Sequence, residues 1–184
     1  DKGIPVVLCN RRVEGWPDGY VYVKHDELIH GVMDHLKEQG FEKVRFLQDV
    51  NLFHKRWMGD LVAEKAEALF GMSREEAVVS VGKESTLVAE ALDKLLHDYA
   101  DRKKAVLAVN THTLFLTLQE IRRRGLRIPE DLGVCGYDAV GWSELVSPGI
   151  TAICQPMRSL GAQAAEQLIR QMQDPEAEPE HCAL

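Results

Sequence analysis

The sequence predicts an α/β protein built around a doubly wound parallel sheet. Short apolar runs, partly β-branched, alternate along the chain with longer segments whose apolar residues recur every three or four positions. The connections between them span only a few residues, and residues 105–109 are as apolar as a strand covered on both faces. Such alternation favours right-handed βαβ units with helices on both sides of the sheet.

The first forty residues predict two strands and one helix, too few to close a sheet. Apolar runs at 4–9 and 21–23 flank a loop that contains several glycines and a proline. Asp26 is a suitable cap for the helix that follows, and Gly40 is a suitable end for it. We therefore expect this segment to form only part of a lobe.

The middle of the chain carries enough elements for one self-contained lobe. Strands are predicted at 44–47, 77–81, 105–109, 132–135 and 151–154, and helices at 55–70, 85–99 and 113–124. A last helix is predicted at 157–172. The remaining residues, 173–184, are acidic and contain two prolines, which predicts a mobile tail.

The composition and the motifs exclude several classes of protein. The 184 residues carry a net charge of -7, which disfavours nucleic acid and anionic membranes as partners of the chain as a whole. No apolar run approaches the roughly 20 residues of a membrane-spanning helix. The four cysteines lack the spacing of a zinc site and are interpreted as reduced thiols of a cytosolic protein.

Catalytic and cofactor motifs are incomplete. A phosphate-binding loop would need a glycine at position 77 and a hydroxyl residue after Lys83, where the chain has Ala77 and Glu84. No G-x-G-x-x-G follows the first strand of the middle lobe, and no G-x-S-x-G is present. The sequence therefore predicts no enzyme, no catalytic residues and no cofactor.

Two charged clusters are interpreted as solvated surface. Asp26, His30 and Asp34 are spaced to share one face of a helix, an arrangement that a metal ion can use. The opposite face of that helix is apolar, which favours a solvated polar face, and no metal site is predicted. Residues 122–124 are arginines in the last turn of a helix, where cations complement the helix dipole.

Three polar residues are predicted to share one edge of the sheet. Asn110 and Asp138 each follow a predicted strand, and Arg56 lies in the first turn of the helix after another. In an open parallel sheet the carboxyl edge borders the crevice in which small molecules bind. Each residue alone is better explained as a helix cap or as part of a surface ion pair. Together they predict a ligand site.

The segment 125–138 has a distinctive order of residues. It follows Gly-Leu-x-x-Pro-Glu-Asp-x-x-Val-x-Gly-[Phe/Tyr]-Asp at every specified position. It resembles the most recognisable motif of the lactose-repressor and galactose-repressor family of bacterial transcription regulators, and further matches extend along nearly the whole chain. Residues 56–59 are similar to the family's Arg-Leu-Ala-Gly, and 109–111 to its Ala-Asn-Asp, although Thr111 and Ala139 replace two of its aspartates.

This resemblance implies both an architecture and a function. Effector domains of the family have the type I periplasmic-binding-protein fold, so we expect a nearly complete lobe at 41–154 and part of another at 1–40 with 155–172. The family's arginine at the position of Arg56 reaches the effector. Arg56, Asn110 and Asp138 are therefore expected to bind a sugar or similar polar metabolite in the cleft between the lobes.

The implied protein is a non-enzymatic, cytoplasmic repressor that forms a homodimer when intact. Such regulators bind DNA through a helix-turn-helix headpiece, which the chain lacks, so it is expected to be truncated at its N-terminus. An alternative is the sugar-binding protein of an ABC-type importer, which shares the fold. The Pro-Glu-Asp run and the unpaired cysteines favour the regulator. A headpiece or a signal peptide in the full reading frame would separate the two.

Overall fold

A computed structural model describes residues 4–11, 13, 15–49, 56–82, 84–138, 141, 143–174 and 176–184 of the chain. The chain divides into two compact units. We call Asp26–Cys154 the large unit, and Asp1–His25 with Gln155–Leu184 the small unit.

The described elements alternate between strand and helix almost throughout. In chain order they are β1 (Leu8–Cys9), β2 (Tyr20–Tyr22), α1 (His25–Glu38), β3 (Lys43–Asp49), α2 (Arg56–Phe70), α3 (Arg74–Ala77), β4 (Val78–Val81), α4 (Ser85–Asp98), β5 (Lys104–Ala108), α5 (Thr111–Arg124), β6 (Gly133–Tyr137), β7 (Thr151–Ile153), α6 (Met157–Gln173) and β8 (His181–Ala183). The predicted strand at 77–81 begins one residue late, because Ser73 and Glu76 form a capping box that starts α3.

The large unit is a five-stranded sheet in the order β4-β3-β5-β6-β7. All four strand pairs are parallel. Helices α1 and α2 contribute their apolar faces to one buried cluster, and α4 and α5 contribute theirs to another. Alternate residues of β3 divide between them, since Phe46 belongs to the first cluster and Leu47 to the second. The predicted doubly wound parallel sheet is confirmed.

A glycine lets one aromatic ring pack tightly against the centre of this sheet. A Cβ placed on Gly133 would lie 2.4 Å from Cζ of Phe41 and 3.0 Å from Cβ of Ala105. The first distance is too short for a carbon–carbon contact, and the second is tighter than most such contacts. Gly133 therefore fits the close approach of Phe41 to the start of β6, at one of the unspecified positions of the 125–138 motif.

The small unit is a three-stranded parallel sheet, in the order β1-β2-β8, with helix α6. The predicted strand at 4–9 is shorter than expected and forms only Leu8–Cys9. The predicted mobile tail is wrong in part: β8 pairs with β2, and the rings of Tyr20 and His181 stack with centroids 4.1 Å apart. The strand was not predicted because the tail as a whole is acidic and contains two prolines, although its last residues pair with β2.

The division between the units also differs from the expected boundary at residue 40. Helix α1 was expected to belong with the first strands, but Ile29, Met33 and Leu36 are buried in the cluster that contains Phe46 and Met58 of the large unit. The apolar face of α1 is therefore part of the large unit's core. Only residues up to His25 group with the small unit.

Candidate functional site

Polar residues close the carboxyl ends of three adjacent strands in the large unit. Strand β3 ends at Asp49, which is only 4% exposed. Asn110 lies two residues beyond β5, and Asp138 directly follows β6. Because β5 lies between β3 and β6, these residues form one continuous row, which we call the polar edge.

The side-chain amide of Asn110 is held at both of its ends. Its Oδ1 accepts a hydrogen bond from the backbone N–H of Thr113 at 2.8 Å and so caps helix α5. Its Nδ2 donates to Oδ2 of Asp49 at 3.4 Å. The oxygen is thus engaged by the helix, and the amide offers a ligand mainly its remaining N–H.

Asp138 lies in a turn whose backbone is held by hydrogen bonds to two neighbouring segments. Its φ of 61° lies in the left-handed region, which aspartate tolerates better than most residues. Its backbone N–H donates to the carbonyl of Ile153 at 3.0 Å, and its own carbonyl accepts from Oγ1 of Thr111 at 3.1 Å. These bonds hold Asp138 between β7 and the start of α5, so the backbone of the turn is positioned without any ligand.

Tyr137, the residue before this turn, is buried in the core of the large unit. It is completely buried, and burial, together with the nearby charge of Asp138, raises the pKa of its phenol. The ring belongs to the buried cluster beneath α1 and α2. Tyr137 thus fixes the end of β6 in the core and leaves Asp138 as the first residue at the edge.

Arg56 opens helix α2, which follows β3 in the chain. Its side chain lies outside the described residues, as do Lys83 and Ala139. The structure thus brings Asn110 and Asp138 of the predicted trio to one edge. Helix α2, which begins at Arg56, is the next described element after β3, the strand that ends at Asp49.

Asp49 of the polar edge was not predicted, and neither was the contact of Thr111 with the edge. Thr111 contacts the turn at Asp138 through its hydroxyl group. Asp49 follows the apolar run of β3 just as Asn110 follows that of β5, so the same rule of strand ends would have found it. The expected strand ended at residue 47, two residues short of Asp49.

The clusters interpreted as solvated surface are engaged with neighbouring charges. Asp34 accepts from Nζ of Lys65 at 3.0 Å. Arg124 pairs with Glu120 of its own helix and with Asp93 of α4. Within the described part of the chain, no group of three or more histidine, cysteine, aspartate or glutamate side chains is arranged to hold a metal ion.

Two cavities among the described residues lie away from the polar edge. One of about 370 Å³ lies in the small unit, lined by Gln163, Glu166, Gln167, Arg170, Glu180 and Cys182. Another of about 200 Å³ lies beside Gly133 and Thr151, where β6 and β7 begin. Neither contains a residue of the polar edge, and the polar edge remains the better candidate because its groups converge at strand ends.

Comparison with protein families covers most of the chain. Residues 33–183 match the family described as the periplasmic binding protein-like domain. The chain belongs to this family. The expectation from the 125–138 motif is therefore confirmed for the fold.

The similar curated proteins are transcription regulators. The HTH-type transcriptional regulator KdgR of Bacillus subtilis (strain 168) is 25% identical, over 100% of this chain and 55% of that protein. The ribose operon repressor of the same organism is 31% identical, over 90% of this chain and 49% of that protein. The resemblance to lactose-repressor-type regulators is confirmed. The chain spans about half the length of these relatives.

Solved structures agree in fold. A LacI family transcriptional regulator from Enterococcus faecalis V583, solved with bound ribose, matches with a TM-score of 0.76 and 25% identity over 100% of this chain and 66% of its own. An uncharacterized protein from Actinobacillus succinogenes matches with a TM-score of 0.80 and 20% identity over 100% of this chain and 67% of its own. Among the described helices of the present chain, none is long and apolar enough to cross a membrane.

Proposed function

We propose that this chain is the effector-sensing part of a bacterial transcriptional repressor. Its effector is a sugar or a similarly polar metabolite that binds at the polar edge. The observation that carries the proposal is the convergence of Asn110 and Asp138, each held by local hydrogen bonds, at the carboxyl ends of neighbouring strands β5 and β6. The regulator names of the relatives and the ribose bound to the E. faecalis protein support it.

The chemistry of these side chains suits a polyol. Neighbouring hydroxyl groups both donate and accept hydrogen bonds, an ionised aspartate accepts two of them, and an arginine donates two in a fixed fork. An amide fixed as Asn110 is adds one donor. Groups of this kind are costly to enclose unless each finds a partner, so they favour a ligand that satisfies all of them.

The relatives favour a transcription regulator over the sugar-binding protein of an importer and over an enzyme. The curated relatives described above are regulators rather than importer components, and none is an enzyme. We propose that the natural protein is cytoplasmic, catalyses no reaction and binds DNA through a segment other than these 184 residues. The net charge of -7 agrees with this, because DNA affinity depends on clustered cations.

A DNA-release experiment tests the proposed function. The natural full-length protein should retard DNA from its own upstream region in a gel shift. We expect ribose, or another member of a panel of pentoses, hexoses and disaccharides, to change that affinity about tenfold, within the usual range of allosteric coupling. Calorimetry should show saturable binding of the same sugar.

The control in this experiment is the 184-residue chain alone, which should leave the DNA unshifted at physiological salt. Specific retardation by this chain would contradict the separate DNA-binding segment. Absence of binding for every sugar of the panel would contradict the proposed effector class.

We further propose that a second copy of the chain is a partner. Leu87 on α4 and Phe115 on α5 are 38% and 53% exposed, and these helices pack beside each other on one face of the large unit. Leu145, after β6, is 82% exposed. Large apolar side chains exposed on adjacent helices suit a self-complementary interface between identical copies.

A charge placed in this surface should separate the copies. Phe115→Glu should weaken dimerisation of the natural protein at least about tenfold in sedimentation equilibrium, because the interface would have to enclose an unpaired carboxylate. Ile169→Glu on α6 is the matched control, since Ile169 is also 53% exposed but lies in the small unit. A wild-type monomer, or a dimer indifferent to Phe115→Glu, would contradict the proposal.

A further inference from the structure

The cavity of about 370 Å³ in the small unit has the size of a small-molecule site. Sites for small ligands span about 300–1,000 Å³. The described residues that line this cavity come from helix α6, from strand β8 and from the residue before β8, so all of them belong to the small unit. All are polar or charged except Cys182. We call this space the α6 cavity.

Helix α6 carries a group of buried polar atoms that have no hydrogen-bond partner among the described residues. They are Oε1 of Gln167, Oε1 of Gln171 and Nε of Arg170. Gln167 is only 5% exposed, and both Gln167 and Arg170 line the α6 cavity. A buried polar atom without a partner is costly, and native structures contain few of them. Such a group on one helix therefore indicates a bound molecule that completes the hydrogen bonds.

The two glutamine amides converge at the residue before β2. A Cβ placed on Gly19 would lie 2.6 Å from Oε1 of Gln167 and 3.4 Å from Nε2 of Gln171. Gln167 and Gln171 are about one helical turn apart, so both reach β2 from the same side of α6. Any side chain at position 19 would displace these amides, and the glycine leaves the space that they occupy.

Arg170 is held by two of its nitrogens, which leaves the third without a partner. Its Nη1 donates to the carboxylate of Glu180, and its Nη2 donates to the carbonyl of Glu178 at 3.2 Å. Because the guanidinium is planar, these two bonds also fix the direction of the Nε–H. The α6 cavity thus combines a donor of fixed direction on Arg170 with a buried acceptor on Gln167.

We propose that the α6 cavity is a second small-molecule site, which binds a polyol such as a sugar alcohol or a sugar. The ligand has to donate a hydrogen bond to the Gln167 oxygen and accept one from the Arg170 Nε–H, and a hydroxyl group does both. Several adjacent hydroxyl groups meet both requirements within one small molecule. The proposal does not depend on the polar edge, which belongs to the large unit, so either site can fail without the other.

Thiol labelling reports on this site because Cys182 lines the cavity. Its thiol is partly buried and donates to Oε1 of Gln163 at 2.7 Å. The natural full-length protein is labelled with iodoacetamide in the presence of xylitol, ribose or glucose, and each cysteine is followed by mass spectrometry. At least one of these polyols, at about ten times its Kd, should slow the labelling of Cys182 about tenfold, because only the unbound fraction reacts. The exposed Cys9 of β1 is the internal control and should react at an unchanged rate.

Gln167→Leu separates a binding role from a structural one. Leucine fills much of the same volume without the acceptor, so the variant should lose the protection of Cys182 by the polyol. It should not lower the midpoint of thermal unfolding, since it removes a buried oxygen that has no partner. A glutamine with a purely structural role would lower that midpoint when replaced. Gln173→Leu makes the same change at the exposed end of α6 and should leave both the protection and the midpoint unchanged.

The outcomes distinguish this site from the effector site. Asp138→Asn at the polar edge should leave the protection of Cys182 intact, and loss of protection in that variant would assign the polyol to the polar edge and overturn this inference. Protection that persists in Gln167→Leu, or in Gln167→Met if the leucine variant does not fold, also overturns it. Absence of protection by all three polyols means that the cavity holds water only, and the proposed effector site stands or falls by its own experiment.

Discussion

Replacing Arg45 with alanine should lower the free energy of unfolding of the large unit by about 3 kcal/mol. Arg45 lies in the middle of β3 and is 1% exposed. Its Nε donates to the carbonyl of Glu76 at 3.1 Å, and its Nη1 donates to the carbonyl of Ala91 at 3.0 Å. The guanidinium thus connects β3 to the end of α3 and to the middle of α4.

The expected loss combines two effects of opposite sign. Burial disfavours the charged guanidinium and lowers the pKa of Arg45, so removing it relieves a desolvation cost. Alanine, however, leaves two carbonyl oxygens without their donors and a cavity the size of a long side chain. We expect the loss to exceed the relief because the bond to Ala91 is buried, so water would have to enter the core to replace the donor.

Three variants separate these effects in urea unfolding followed by circular dichroism. Arg45→Met fills most of the volume without a donor, so it should recover only part of the loss. Arg74→Ala removes an exposed arginine paired with Asp60 at 2.6 Å, and should change the stability by less than about 0.5 kcal/mol. Equal stability of Arg45→Ala and Arg74→Ala would show that the buried hydrogen bonds contribute nothing net.

The sheet of the large unit was predictable because its strands are covered on both faces. Strands such as β5 then consist almost wholly of apolar residues, and the helices between them show a clear apolar stripe. Arg45 shows the limit of this reasoning. The apolar run around Arg45 predicts a strand, but the hydrogen-bond partners of the guanidinium, 31 and 46 residues away in the chain, follow only from the packing.

The small unit was harder to predict because its pairing depends on the last residues of the chain. Strand β8 has three residues and pairs with β2, about 160 positions earlier, so no local pattern reveals it. Composition averaged over the acidic tail indicated mobility instead. Helix α1 was expected to pack with the first strands but packs in the core of the large unit. An apolar stripe predicts that a helix is half-buried, but it does not identify the sheet that the helix covers.

The candidate site was predictable where it depends on strand ends. Asn110 and Asp138 lie at the edge that the order of elements required. The sequence left Asn110 open between a helix cap and a ligand-binding residue, and in the structure its Oδ1 caps α5. An asparagine before a helix can either cap the helix or bind a ligand, and the sequence does not distinguish the two roles. The extended backbone of Asn110 at the start of α5 places its side chain for capping.

Removing the Asp138 carboxylate should weaken effector binding by about 2–5 kcal/mol, the largest effect expected at the polar edge. In the proposed site this carboxylate accepts two ligand hydroxyls, so its loss removes two charge-assisted hydrogen bonds. Asp138→Asn is the appropriate variant because asparagine also tolerates a φ of 61°. A substitution to alanine would add backbone strain to the loss of charge.

A second variant has to respect the capping role of Asn110. Asn110→Ser keeps an oxygen that can cap α5 but removes the amide donor, so we expect a smaller loss of affinity, about tenfold, with little loss of stability. Asn110→Ala would destabilise the helix start by about 1 kcal/mol and confuse folding with binding.

Calorimetry with ribose, or with whichever sugar of the panel binds most tightly, decides the matter in the natural full-length protein. Asp131→Asn is the matched control: Asp131 precedes β6 whereas Asp138 follows it, and it pairs with Arg127 at 2.9 Å far from the carboxyl edge. Asp138→Asn and Asn110→Ser should each weaken binding while Asp131→Asn leaves it unchanged. Unaltered affinity in both edge variants, with folding preserved, would place the effector elsewhere and reduce the likeness to sugar-binding regulators to one of fold, because a crevice that binds through charge-assisted hydrogen bonds cannot lose its acceptor and its donor without effect.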